Sequence, residues 1–552
     1  MQRDELKSRL GNLPKQAADY IQAVISKMGY RLKVRREVKA ELIAHFEDEL
    51  KDCKNDDQKQ AKAKEVVESF GDAKLLGVLL RRAKKRCRPL WRTVTVRLFQ
   101  AAGLFVIFFI LYLAWFLTGR PAITTDYLAE LNRMVRPTAD EGENAAPYYS
   151  KAVELLKERP EEIEELGGKD FSELTSADKE MWAEWLEGEK EGFDLVKQGA
   201  AKKYYWETYG YGDPNFGLMG ILLPNISDHR MIAMDIIVRS RLSAEKGNFK
   251  DCFDDLITCY RFGRHIKNSF SFVEQLVGIA IEALSTRAIR EILSEYEIDS
   301  AFLAKLDSDL AALISEEDFV FKFEGERLFM YDEIQRCFTE DIFGGHLSLR
   351  IFSTLEALTE LGSVDLSRSF WEEIHFKQIP HILFTHPDKK ETRAMTGRYY
   401  DYMARISRKN PAQLRAEGID INNEAMKIIE GNMLLETLAP NLGMLIRLGY
   451  RSKADSFATV TIIALLQYEQ DKGELPDSLE ELKEAGLLSE IPVDPWSDEP
   501  LIYKKIAGDF TLYSVGENFV DDGGVIGVDN IGRKYIWSAN GDAVFWPVEK
   551  GD

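Results

Sequence analysis

A compact set of potential ligand atoms lies near the C-terminus, in the Ser514–Gly524 stretch SVGENFVDDGG. Glu517, Asn518, Asp521 and Asp522 fall within six residues, and Gly516, Gly523 and Gly524 permit the tight turns that gather such side chains. Carboxylate and carbonyl oxygens are hard ligands, and the cation they suit is Ca²⁺. The same composition also builds a metal-free Asn/Asp/Gly turn.

Histidines give a second set. Four of the seven lie in residues 319–410, and His375, His381 and His386 stand in EEIHFKQIPHILFTHPDKK beside Glu372 and Glu373. Imidazoles with carboxylates could hold zinc. Their spacing, five and then four intervening residues with Pro380 between, matches neither HExxH nor a structural zinc pattern. Loop and helix-end histidines are the plainer reading. His45 with Glu47 and Asp48 reads likewise as a polar helix face. The sequence has no GxSxG, no phosphate-cradling glycine loop and no CxxC pair. With 92 Asp and Glu residues, no carboxylate pair singles itself out for acid–base work.

Cysteine chemistry is equally bounded. Five cysteines in 552 residues exclude a disulfide scaffold. Cys252 and Cys259 sit seven positions apart on one predicted helix, about 10 Å along its axis, which is beyond disulfide reach. With Cys337 they read as buried thiols, although Cys337 could pair with one of them outside the cytoplasm.

The elements that must position these residues are set by one apolar segment. Leu98–Leu117, LFQAAGLFVIFFILYLAWFL, carries no charge over 20 residues. A helix of that length spans about 30 Å, the thickness of a bilayer's hydrocarbon layer. Tyr112 and Trp115 stand near one end, where aromatic belts lie. The charge divides at the same place: net +10 over residues 1–100 and −30 over the rest, within a total of −20. Eight Lys and Arg residues from Arg81 to Arg97 precede the segment, and only Arg120 follows closely. The positive-inside rule therefore predicts a cytoplasmic N-terminus, a single inner-membrane span and an extracytoplasmic bulk. The basic run also suits anionic lipid. A folded-looking stretch of nearly 100 residues before the span argues against a cleavable signal peptide. The acidic total argues against a nucleic-acid partner.

Apolar spacing predicts short helices over Ala17–Lys27, Leu32–Leu50 and Lys62–Phe70, the last ending at Gly71-Asp72, with another from Ala73. The stretches RREVKAELIAHFEDEL (Arg35–Leu50) and AKEVVESFGDAKLLGVLLRRA (Ala63–Ala83) resemble the permease-prefix, or HAAS-type, domain of bacterial membrane proteins. That resemblance implies a cytoplasmic interaction or regulatory module.

From Tyr127 to about Lys453 the sequence predicts helices, among them Ala145–Lys157, Ala177–Lys202, Arg230–Lys246, Phe249–Lys267 and Phe272–Tyr296. The Gly247-Asn248 turn gives a helix hairpin, but no strict repeat period emerges. ENAAPYYSKAVELL (Glu143–Leu156) and MWAEWLEGEKEGFDLVKQGAAK (Met181–Lys202) look like pieces of large membrane-anchored bacterial proteins of uncharacterised activity that end in a pseudopilin-like tail.

Residues 454–552 predict a helix stopped at Gly473, a Leu-Pro turn, a short second helix, and strands at Leu501–Lys505, Phe510–Ser514 and Val544–Trp546. The helix ending in Tyr468 and Gly473, then Pro476, Leu479, the DPW at Asp494–Trp496, Tyr503 and the YSVG at Tyr513–Gly516 resemble the soluble head of the major type II secretion pseudopilin. In those heads a loop and a downstream Asp hold calcium. The resemblance thus implies a Ca²⁺ site at Asn518, Asp521, Asp522 and Asp542. Within DPW, Trp496 is expected to pack a turn. The chain departs from a pseudopilin in its internal span, which carries no prepilin cleavage site and lies over 300 residues upstream.

The expected fold is mainly α. It comprises a cytoplasmic helical module (1–97), one transmembrane helix (98–117), a large extracytoplasmic helical domain (118–453) and a small α+β pseudopilin-like head (454–552). The expected function is a membrane-anchored, non-enzymatic envelope interaction or assembly protein that couples an external binding event to an unidentified cytoplasmic protein partner. The competing expectation is an extracytoplasmic hydrolase with its site in residues 319–410.

Overall fold

A computed structural model describes residues 3–86, 90–156, 158–212, 214–221, 223, 225–314, 319–352, 380–440, 442–506, 508–529 and 531–548. The chain is mainly helical and divides into two compact units, Met1–Trp115 and Phe116–Asp552.

The first unit begins with α1 (Arg3–Gly11), α2 (Lys15–Lys27), α3 (Leu32–Glu49), α4 (Asp56–Phe70) and α5 (Ala73–Arg86). Helical spacing puts Ala17, Tyr20, Ile21 and Val24 of α2 on one face, against Val38, Leu42, Ile43 and Phe46 of α3. Gly71, at φ 71°, ends α4, and its carbonyl accepts the Tyr20 hydroxyl at 3.0 Å. At Gly77, α5 approaches α2 so closely that a Cβ would stand 2.9 Å from the Val24 carbonyl oxygen.

Helix α6 (Leu90–Thr118) contains Val94–Thr118, which is long and apolar enough to cross a membrane. Only 6% of its most apolar window is buried, whereas the core helix of a soluble protein would be mostly covered.

The second unit runs through α7 (Tyr127–Val135), α8 (Ala146–Leu156), α9 (Glu161–Leu166), α10 (Ser176–Gly188) and α11 (Lys190–Ala200). Four helices with short connections follow: α12 (Ile226–Glu245), α13 (Phe249–Lys267), α14 (Phe272–Glu295) and α15 (Ser300–Ala311). Their lengths of 20, 19, 24 and 12 residues fit an irregular stack of hairpins. Tyr149, Trp182, Phe193, Ile232, Ile236, Phe262, Ile266 and Ile281 form the core between α8 and α14. Gly263 and Gly278 let α13 and α14 nearly touch, since a Cβ on Gly278 would lie 2.1 Å from the Lys267 amide nitrogen.

Helices α16 (Glu324–Cys337), α17 (Lys389–Ile406), α18 (Pro411–Ala416), α19 (Ile421–Ile429) and α20 (Met433–Leu438) come next. Then α21 (Leu442–Lys472) runs 31 residues to a stop at Gly473, φ 78°. The boundary expected at 453/454 falls inside this helix. After α22 (Leu479–Glu484), β1 (Ile502–Ile506), β2 (Asp509–Ser514) and β3 (Ala543–Trp546) form an antiparallel sheet in that order. Its register pairs Tyr503 with Leu512, and Leu512 with Trp546. Alternation puts Phe510 and Leu512 on the buried face, and Phe510 stacks on Trp546 at 5.3 Å.

Candidate functional site

The cleft richest in chemistry lies in the second unit, in a segment that sequence periodicity passes over. Lys203–Tyr211, KYYWETYGY, leaves α11 without helical structure. It is fixed at both ends by asparagine side chains that satisfy its backbone. Asn144 donates to the Trp206 carbonyl at 3.0 Å and accepts the Trp206 amide at 3.1 Å. Asn132 makes the matching pair with Tyr209, at 3.0 and 2.8 Å. Tyr204, Tyr205, Trp206, Glu207 and Tyr209 thereby wall a cleft of about 310 Å³, closed by His265, Asn268, Ser269, Phe270 and Lys322.

Its polar groups are unevenly satisfied. Glu274 accepts the Tyr209 hydroxyl at 2.9 Å and the Ser271 hydroxyl at 2.6 Å. His265 Nδ1 accepts the Tyr149 hydroxyl at 2.7 Å, and the ring also bonds the Lys202 carbonyl. Burial pushes the His265 pKa down to about 4, so the ring is neutral. Glu207 has a Tyr205 hydrogen bond, yet its Oε1 is buried without a partner. Burial, with a smaller contribution from the charge of Glu274, pushes the Glu207 pKa up to about 7. An aromatic-walled cleft with one unanswered carboxylate oxygen suits a compact group that brings a hydrogen-bond donor.

The predicted C-terminal ligands are partly brought together. Asp542 is fully buried, and its two oxygens accept the amides of Asp522 at 3.2 Å and Gly524 at 2.7 Å. Asn518 donates to Asp522 Oδ2 at 2.6 Å. Asp521 turns toward the sheet and accepts the Tyr513 hydroxyl at 2.8 Å and the Gly523 amide at 2.9 Å. Glu517 is taken by Arg451, at 2.7 Å. Among the described residues, no group of three or more His, Cys, Asp or Glu side chains is arranged to hold a metal. In the neighbouring DPW turn, Asp494 accepts from the Trp496 and Val515 amides and the Ser514 hydroxyl. Trp496 is buried against Trp537, ring centres 4.9 Å apart.

His386 and His381 are both occupied structurally. His386 Nδ1 donates to the Pro387 carbonyl at 2.8 Å, and Nε2 accepts the Met433 amide at 3.1 Å. Burial pushes its pKa down to about 4. His381 Nε2 donates to the Gly431 carbonyl at 2.9 Å, and Nδ1 accepts the Thr385 hydroxyl at 2.6 Å. His375, Glu372 and Glu373 lie outside the described residues. His45 packs edge-on against Phe70, while Glu47 pairs with Arg9, so that triplet does not converge. Cys252, Cys259 and Cys337 are buried thiols.

No protein-family model matches the chain, and no curated protein or solved structure matches it either.

Proposed function

We propose that the chain is a single-pass membrane-anchored interaction protein of the bacterial envelope, with residues 1–97 in the cytoplasm and the larger unit outside. The observation that carries this reading is the α6 surface. Leu98, Phe99, Phe105 and Phe108 are each more than 60% exposed, an apolar area that water would penalise and lipid would cover. The basic stretch from Arg81 to Arg97 supports the orientation.

On this proposal the protein is non-enzymatic. The external unit binds in the Glu207 cleft, and the N-terminal module docks a cytoplasmic protein partner. Residues 454–552 act as a pseudopilin-like head braced by Ca²⁺ at Asn518, Asp521, Asp522 and Asp542. The support for this brace is that Asp542 gathers the turn around one carboxylate by accepting the Asp522 and Gly524 amides, and a carboxylate oxygen that accepts one N–H keeps a second lone pair.

The test is extraction of native membranes with alkaline carbonate. The full chain should stay in the pellet, and a chain lacking residues 98–117 should move to the supernatant. Full-length protein released by carbonate would refute the anchor.

A further inference from the structure

A second apolar surface lies beside the end of α6. The chain from Cys337 to Ser348 folds back on itself, and its tip carries Ile342 and Phe343, 92% and 74% exposed. The frame that holds them is pinned by hydrogen bonds across its stem and turn. Thr339 N donates to the His346 carbonyl at 2.9 Å, and Ser348 N to the Cys337 carbonyl at 2.8 Å. The Asp341 carboxylate accepts the amides of Phe343 at 2.8 Å and Gly345 at 3.1 Å. Gly344 and Gly345 turn the chain at φ 107° and 77°, which side-chain-bearing residues resist. Two large apolar side chains are thus displayed by a defined turn rather than left on a loose loop.

Their place in the fold says what covers them. His346, in the stem of the turn, stacks on Phe116 with ring centres 4.3 Å apart, and its Nε2 donates to the Phe116 carbonyl at 3.0 Å. Phe116 belongs to the last turn of α6. Gly119 follows so tightly that a Cβ there would meet Thr339 at 2.7 Å and His346 at 2.9 Å. Pro121 then bridges to Thr339. The stem is therefore packed directly on the residues where the apolar helix ends. Leu117 and Ile123, either side of that contact, are each 60% exposed.

We propose that Ile342 and Phe343 insert into the interfacial layer of the bilayer, beside the point where α6 leaves it. This rests on the reading of α6 as a membrane span. Ile342 and Phe343 then share the lipid with Leu117 and Ile123, which are likewise exposed. A bulky aliphatic and an aromatic residue suit the boundary between headgroups and acyl chains.

The experiment uses the full chain in phosphatidylethanolamine–phosphatidylglycerol vesicles. An environment-sensitive nitrobenzoxadiazole label is placed at Ile342→Cys, and in a separate chain at Lys246→Cys, an exposed control. Both carry Cys53→Ser and Cys87→Ser, with the parent chain as blank. The label at 342 should emit to the blue of the control. It should be quenched several-fold more by a shallow lipid-borne spin label and several-fold less by aqueous iodide. Equal iodide quenching at both positions, with the protein still floating with the vesicles, would overturn the insertion and leave the anchor intact. Failure to float would overturn both.

Discussion

Arg290 of α14 and Asp455 of α21 form a buried ion pair, with Nη2 donating to Oδ1 at 2.9 Å. The same aspartate accepts the Thr286 hydroxyl at 2.7 Å, and Nη1 of Arg290 donates to the Thr459 hydroxyl at 2.7 Å. Arg290 also lies 5.7 Å from the ring of Phe545 on β3. Helical core, long helix and C-terminal sheet therefore meet at one charged contact. Removing one partner strands the other charge, so Asp455→Ala should destabilise the protein by about 3–5 kcal/mol. Replacing both, as Arg290→Met with Asp455→Leu, should recover most of that loss. Denaturant titration of the full chain in mild detergent measures both.

The α13–α14 crossing gives a sharper steric contrast. Gly278→Ala would drive a methyl group into the backbone at Lys267 and should cost at least about 1–3 kcal/mol. Gly188, on α10, has nothing within 4 Å of its virtual Cβ. Gly188→Ala should be neutral or stabilise by up to about 1 kcal/mol. Thermal melts of the two variants separate the cases.

Stability should depend on pH through carboxylates buried away from water. Burial raises Glu207 and Asp235 to about 7 and Glu333 to about 8, the last helped by the Asp332 charge. Arg159 opposes the shift at Asp235 without cancelling it. Between the ordinary carboxylate range and pH 7–8 the folded chain binds more protons than the unfolded one. The stability these carboxylates contribute must then fall as pH rises through that window, offset in part below about pH 6.5 by the buried His265 and His386, which bind fewer protons folded than unfolded. The melting temperature should drop from pH 5 to pH 8. Glu207→Gln, which cannot ionise, should melt higher than wild type at pH 8 and show a shallower pH dependence.

At the C-terminal turn, two substitutions should part company. Asp542→Ala leaves the Asp522 and Gly524 amides unpaired, at about 1–3 kcal/mol each, whether or not calcium is added. Asp522 contributes an exposed side chain whose contact is Asn518. Asp522→Ala should therefore leave the chelator-treated melting point close to wild type and abolish the rise with Ca²⁺. For wild type, that rise corresponds to about 2.7 kcal/mol at 100-fold over the dissociation constant.

Much of the fold was legible because it follows periodicity. Phe249–Lys267 was expected and found residue for residue, and the three strands lie within one or two residues of their expected positions. The stretch Ala177–Lys202 was expected as one helix but divides at Glu189 into α10 and α11. Gly192 explains the packing there, since a Cβ would lie 2.6 Å from Leu156. The Glu207 cleft was not legible by periodicity. Its wall is irregular backbone held by Asn132 and Asn144, which are distant in sequence. The signal available was local: five aromatic residues and one glutamate in the nine residues of Lys203–Tyr211. The histidines misdirected attention for the opposite reason. They sit near one another in sequence, but the backbone groups they satisfy, at Pro387, Gly431 and Met433, could not be read from spacing.

A single span with the larger unit outside puts the two units on opposite sides of the membrane, which thiol accessibility in spheroplasts reads out. Full chains carrying Cys53→Ser and Cys87→Ser and bearing either Lys51→Cys or Lys246→Cys, both exposed positions, are treated with a membrane-impermeant maleimide before and after lysis. The account predicts that position 246 labels in intact spheroplasts and position 51 only after lysis. Labelling of both positions before lysis, or of position 51 alone, would contradict it.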